Sequence, residues 1–138
     1  MSTQIDFIKE YSEFIESTML DEAAFLAKLP EYITDESVLI EPDSLFGHLV
    51  GFEGWNQWRR GAYDMAVSTG IQYQSSGSQF FENGETVLHY YEVEFSPRPS
   101  HPEGWRTSII ERYDFADGKI AKLTEYYADT TAFAAFFA

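Results

Sequence analysis

Apolar side chains recur every three or four positions from Ile5 to Met19 (Ile5, Ile8, Tyr11, Phe14, Ile15, Met19), which predicts an amphipathic helix capped by Ser2 or Thr3. A second, shorter helical pattern starts at Asp21, with Phe25, Leu26 and Leu29 on one face, and Pro30 ends it. The run "VLIE" at 38–41 reads as a strand that stops at Glu41-Pro42. After a loop, Trp55, Trp58, Ala62, Met65 and Ala66 mark one face of a third helix, closed by Gly70.

From Ile71 the period changes to two. Four segments, 71–82, 86–96, 105–116 and 119–128, are rich in aromatic and β-branched residues and are separated by turn chemistry. Asp117-Gly118 is the strongest tight-hairpin signal among them. Asp129 is placed to cap a short terminal helix over "TTAFAAFF". Consecutive hairpins make an antiparallel meander, and helices must cover one of its faces. The expected architecture is therefore α+β: a curved, mostly antiparallel sheet wrapped around the N-terminal helices, cone-shaped, with an internal hydrophobic cavity.

A chain of 138 residues fits one domain, 1–138, with a single core. A high aromatic share, 17%, supplies the large flat surfaces that a small-molecule cavity or a stiff core would use. A formal net charge of −14, with nine scattered Lys and Arg, repels phosphate backbones and argues against a nucleic-acid partner. The chain has no cysteine, no apolar run of membrane-spanning length and no signal-like start, so a cytoplasmic protein without a membrane partner is expected. The three histidines are dispersed without ligand-like spacing, and there is neither a phosphate loop nor a nucleophilic serine elbow. No metal and no cofactor are expected.

The candidate chemistry lies in the carboxylates and one histidine. On 105–116 side chains alternate faces, so Glu111 falls among Ile109, Tyr113 and Phe115; on an inward face, desolvation would raise its pKa and make it a proton donor. A carboxylate at a sheet edge, wetted or ion-paired, is the plain alternative. By the same alternation His89 shares the apolar face of 86–96 with Val87, Tyr91, Val93 and Phe95, either as a proton relay or as a hydrogen-bonded core residue. Pro42 biases Glu41 toward extended backbone and so fixes the direction in which its side chain leaves the strand. His48 follows in the loop, where it would guard a cavity mouth.

The order of elements, the helix containing Tyr11, the string "DESVLIEPDSLFGHLVGFEGW" and the end "YDFADGKIAKLTEYYADTTAF" resemble the nuclear transport factor 2-like superfamily, and within it the SnoaL-like, ketosteroid-isomerase-like branch. The resemblance implies a cone-shaped fold and an isomerase- or cyclase-type enzyme acting by proton transfer on a hydrophobic carbonyl compound. It puts Glu41 at the general base and Glu111 at a protonated acid of the oxyanion hole, each with Glu for the family's Asp, and Tyr11 near the phenol donor. His89 is then auxiliary, and Phe14, His48, Trp55, Trp58, Tyr91 and Tyr113 are candidate substrate contacts. A non-catalytic ligand-binding or dimerisation module and a dehydratase-like lyase using His89 are the alternatives. Asp129 lies one residue beyond the place of the aspartate that epoxide hydrolases of this superfamily use, and helix capping accounts for it. Outward residues such as Tyr90, Ile110 and Tyr126 make a homodimer the expected assembly.

Overall fold

Asp117 and Gly118 both take positive φ (53° and 77°), the two-residue turn geometry whose twist matches the strands it joins. Around this and the other turns the chain builds a six-stranded sheet. The computed structural model describes residues 3–68 and 70–138, the side chains of 66–68 excepted, so the proposed Ser2 cap and the side chain of Ala66 lie outside the described residues. The elements are α1 (Thr3–Thr18), α2 (Glu22–Lys28), a 3₁₀ turn (Leu29–Glu31), β1 (Ile33–Ile40), β2 (His48–Val50), α3 (Gly51–Ser68), β3 (Tyr73–Asn83), β4 (Thr86–Phe95), β5 (Trp105–Ala116), β6 (Lys119–Tyr127) and α4 (Thr130–Phe136).

The strands lie in the order β2-β1-β6-β5-β4-β3. All neighbours are antiparallel except β1 and β6, which run parallel. The four long C-terminal strands fall where the alternation places them, and the sheet is the mixed, curved one expected. The first strand starts five residues before "VLIE". The polar stretch "TDES" hides that extension: Ser37 is buried, and its hydroxyl donates to the Ile120 carbonyl (2.6 Å) while accepting from the Thr34 N–H (2.9 Å), bridging an irregular step between Ile33 and Val38.

Strand β2 is a three-residue edge that the hydropathy pattern does not reveal; it pairs His48 with Ile40 and Val50 with Val38. His48 is therefore on an exposed strand and not in a loop. Gly51 makes the junction into α3 at φ +69°, packed so tightly on the Asp35 backbone that any Cβ would collide with it. Asp35 also accepts the Phe52 N–H at the start of α3 (3.2 Å).

Helix α1 buries Ile8, Tyr11, Phe14 and Ile15, the stripe its spacing predicts. Helix α2 is capped by Asp21, which accepts from the Ala24 N–H (3.0 Å), and buries Phe25. Leu26, expected on the same face, is instead 37% exposed: one position past Phe25, it is turned about 100° around the helix and away from the core. Two clusters form the interior. One gathers α1, α2 and Trp55 against β1, β5 and β6; the other packs Phe133 and Phe136 of α4 on Val93, Phe95 and Ile109. A cavity lies where they meet. Among the described residues no helix is long and apolar enough to cross a membrane.

Candidate active site

The cavity has a volume of about 390 Å³, and among the described residues its wall carries four carboxyl groups, one imidazole and many aromatic rings, with no Lys or Arg. Its chemistry is concentrated in one row across the concave face of the sheet. Register pairs Phe80 with His89, His89 with Glu111, and Glu111 with Glu125. Ile40 pairs with Thr124, so the next residue of each strand, Glu41 and Glu125, continues the row. Because side chains alternate, all five lie on the same face, and the five positions belong to five different strands or strand ends.

Glu41 sits at the β1 end of that row, 2% exposed. Its N–H donates to the Gly47 carbonyl (2.9 Å), while the Pro42 carbonyl accepts from Leu45 (2.9 Å) and Gly47 (3.2 Å), a turn that locks the carboxyl toward the interior. The Tyr127 hydroxyl donates to both carboxyl oxygens (2.9 and 3.2 Å). Burial pushes the Glu41 carboxyl up to about 7; hydrogen bonding from Tyr127 and Trp58 opposes that rise, and the nearby Glu111 adds to it.

Glu111 is not a lone carboxyl on an apolar face. Its Oε1 accepts from the Tyr113 hydroxyl (3.0 Å) and, with a proton on Nδ1, from His89 (2.8 Å). The other imidazole nitrogen, Nε2, meets the Ser78 hydroxyl at 3.1 Å. The His89 ring lies flat on Phe80, with centroids 4.4 Å apart and planes 2° off parallel. Each polar atom of this histidine is thus engaged, and its ring plane is fixed by stacking.

Glu125, opposite Glu111 on β6, is a second buried carboxyl in the same row. It is 8% exposed, and burial above all, then the charges of Glu111 and Glu41 and a hydrogen bond to Glu111, hold its carboxyl well above the usual range. The signal for it is partly hidden by a bulge. Asp114 pairs with Lys122 and Phe115 with Ile120, which leaves Ala121 unpaired and reverses the alternation between Ile120 and Leu123. Beyond the bulge, Leu123, Glu125 and Tyr127 share the inward face and all line the cavity.

Tyr11 also lines the cavity, nearly fully buried. Its hydroxyl oxygen accepts the Trp55 indole N–H (3.0 Å), and its own proton meets no acceptor among the described residues, so it points its donor capacity into the cavity. Burial raises this phenol, as it does those of Tyr91, Tyr113 and Tyr127, so each stays a protonated donor.

Of the candidate substrate contacts, Trp58, Tyr91 and Tyr113 line the cavity. Three do not. Phe14 is consumed by the core, stacked between Phe25 (5.3 Å) and Tyr32 (5.0 Å). Trp55 is fully buried and acts through its bond to Tyr11. His48 is exposed on β2 and away from the wall. Asp129 caps α4, accepting from the Ala132 N–H (2.9 Å), and does not line the cavity. Among the described residues no group of three or more His, Asp or Glu side chains is arranged to hold a metal ion.

No protein-family model matches the sequence, and no curated protein matches it. Solved structures match in fold over nearly the whole chain. An NTF2-like protein of unknown function from Burkholderia pseudomallei is 13% identical, with a TM-score of 0.73 over 100% of this chain and 99% of that one. TerC, co-crystallised with polyporic acid, is 17% identical, with a TM-score of 0.70 over 99% of this chain and 98% of that one. A candidate polyketide cyclase from Xanthomonas campestris pv. campestris is 14% identical, with a TM-score of 0.62 over 96% and 98%. The chain thus has the nuclear transport factor 2-like fold, the fold its sequence resembles. Both proteins of unknown function and candidate polyketide cyclases share that fold.

Proposed function

We propose that the protein is a cofactor-free isomerase- or cyclase-type enzyme of the SnoaL-like, ketosteroid-isomerase-like kind, moving a proton on a hydrophobic carbonyl compound. Glu41 is the base. Tyr11 and the Glu125–Glu111 acid pair are the donors for the enolate oxygen that forms as Glu41 takes the α-proton. The observation that carries this reading is the placement of a carboxyl with a pKa of about 7 in one cavity with a buried acid and an unspent phenol proton. A base is most effective when its pKa lies near the working pH, and enolate donors act most strongly where water is excluded.

With carboxyl groups and no cation on its described wall, the cavity repels carboxylates and phosphates, so the substrate is not an anion. Aromatic walls and a volume near the lower end of the usual range of about 300–1,000 Å³ suit a compact apolar molecule. TerC, of like fold, was co-crystallised with polyporic acid, which supports small-molecule binding in this architecture. His89 has both ring nitrogens engaged, which favours the auxiliary role over that of a dehydratase acid facing the substrate.

The test is exchange of α-hydrogens in D₂O, followed by NMR across a panel of apolar ketones. Wild type should accelerate exchange for at least one of them, and Glu41→Gln should slow that exchange on the order of a hundredfold or more. Exchange unchanged by Glu41→Gln, or absent for every ketone that binds, would leave the non-catalytic binding module as the reading. A homodimer goes with either reading: Tyr90, Ile110 and Tyr126 stand in register on the outer face, and Ile110 and Tyr126 are substantially exposed. Light scattering on wild type and Ile110→Glu tests it.

A further inference from the structure

The edge strand β3 carries an irregularity with a chemical consequence. Ser76 pairs with Glu92 and Gln79 with Tyr90, so Gly77 and Ser78 together oppose the single residue Tyr91. This is a bulge, with Gly77 at φ +69° as its left-handed member. The extra residue changes the phase of the strand: Tyr73 and Ser75 face the cavity on one side of it, Ser78 and Phe80 face inward on the other. Bulges of this kind re-aim a side chain, and here the side chain is the Ser78 hydroxyl, delivered onto His89 Nε2.

Ser78 is exposed, as is the whole of β3 apart from Phe80. Glu16 of α1 and Tyr73, Ser75 and Ser78 of β3 are the exposed members of the cavity wall, so the mouth lies between that helix and that strand. From the mouth inward the polar groups follow one another: Ser78 hydroxyl to His89 Nε2 at 3.1 Å, His89 Nδ1 to Glu111 Oε1 at 2.8 Å, and Glu111 beside Glu125, its cross-strand partner on β6. The neighbouring titratable groups are Tyr113, which donates to Glu111, and Tyr11, Tyr91 and Glu41, which face the same space.

We infer that Ser78, His89, Glu111 and Glu125 form a proton path joining solvent at the cavity mouth to the buried acid. The inference rests on the proposed role of Glu125 as a donor. When Glu125 has given up its proton, Ser78 passes its hydroxyl proton to His89 Nε2 and takes one from water. His89 passes its Nδ1 proton to Glu111, and Glu111 passes one to Glu125. One proton enters, one arrives, and no other bond changes; His89 is left in the Nε2–H form, and a half-turn about its Cβ–Cγ bond, which keeps the ring plane on Phe80, takes Nδ1 off Glu111 to exchange with water and restore the Nδ1–H form. The bulge is then a functional feature of β3, and Ser78 is a positioning residue whose effect on the acid runs entirely through His89.

The experiment is a stopped-flow pH jump read by the infrared C=O band of the protonated Glu125 carboxyl, assigned by its loss in Glu125→Gln. In Ser78→Ala and His89→Phe, the latter keeping a ring to stack on Phe80, re-protonation should slow at least about tenfold while circular dichroism stays that of wild type. Rates within about twofold of wild type in both variants would mean that water in the cavity protonates Glu125 directly, and a wild type without the band would mean that Glu125 is ionised; either result overturns the path. The two readouts separate this from the proposed reaction: ketone exchange in Glu41→Gln tests the base, whereas re-protonation of Glu125 is followed in Ser78→Ala and His89→Phe with Glu41 intact. A failed path with Glu41-dependent exchange intact would condemn the path alone.

Discussion

Glu125 lies directly opposite Glu111 across the β5–β6 ladder, and burial, with the Glu111 charge beside it, holds the Glu125 carboxyl well above the usual range. Two like charges facing each other on a buried sheet face repel, which favours the protonated Glu125, while Glu111 Oε1 accepts from Tyr113 and meets His89 Nδ1. The same Glu111 charge also acts on Glu41. Replacing Glu111 by Gln should therefore move the Glu41 titration below about 7. The shift can be read by carboxyl NMR or by the acid limb of the exchange rate, and an unmoved midpoint would show that Glu111 does not reach Glu41 electrostatically.

Stability should carry a signature of Glu41. Its pKa is raised on folding from the ordinary 4.5 to about 7. The folded state therefore binds this proton more tightly than the unfolded chain, and the stabilisation is full below about 4.5 and lost as pH rises through about 7. Glu41→Gln removes that loss. In urea titrations the variant should gain on wild type between pH 5 and pH 8, by at most about 3 kcal/mol, less whatever the Tyr127 and Trp58 contacts contribute. A constant difference across that range would contradict a buried, proton-binding Glu41.

Ketone exchange should depend on pH in the opposite sense. Glu41 acts as a base only when ionised, so the rate should climb as pH rises through about 7 and level off above it. A rate already flat at pH 5 would require a base with an ordinary carboxylate pKa.

Alternation of side chains alone turns Glu111 and His89 inward, because a strand's period of two leaves no other face for them once Ile109 and Tyr113 are buried. The same rule applied from Ile120 puts Glu125 outside, since the bulge at Ala121 reverses the phase and leaves no mark in composition. Ser78 is hidden in the same way by the bulge at Gly77. Glu41-Pro42 is legible because proline restricts the residue before it. Phe14 and Trp55 are misread as cavity contacts for a different reason: an aromatic stripe says that a face is buried, and whether against a core or a cavity depends on which partner fills the space. Strand β2 is too short for any periodicity to emerge.

Tyr11 separates packing from chemistry. Tyr11→Phe keeps the ring contacts with Tyr32 (5.8 Å) and Tyr113 (6.0 Å) but leaves the Trp55 N–H without its acceptor. That loss should destabilise the fold by about 1–3 kcal/mol, seen in urea unfolding. If the phenol is also an enolate donor, exchange should fall on the order of a hundredfold in protein that remains folded. A variant that is destabilised yet fully active would make Tyr11 a structural residue only.

Asp129 tests the capping assignment against a catalytic one. Its carboxyl accepts the Ala132 N–H at the start of α4, and that helix presses Phe133 and Phe136 onto Phe95 and Trp105. Asp129→Ala should destabilise the protein by about 0.5–2 kcal/mol, and Asp129→Ser should recover most of it, because serine caps almost as well as aspartate. Phe133 lines the cavity, so fraying of α4 should weaken binding of apolar ketones while leaving the pH midpoint set by Glu41 in place. Loss of exchange in Asp129→Ser with stability restored would show instead that the carboxylate itself takes part in the reaction.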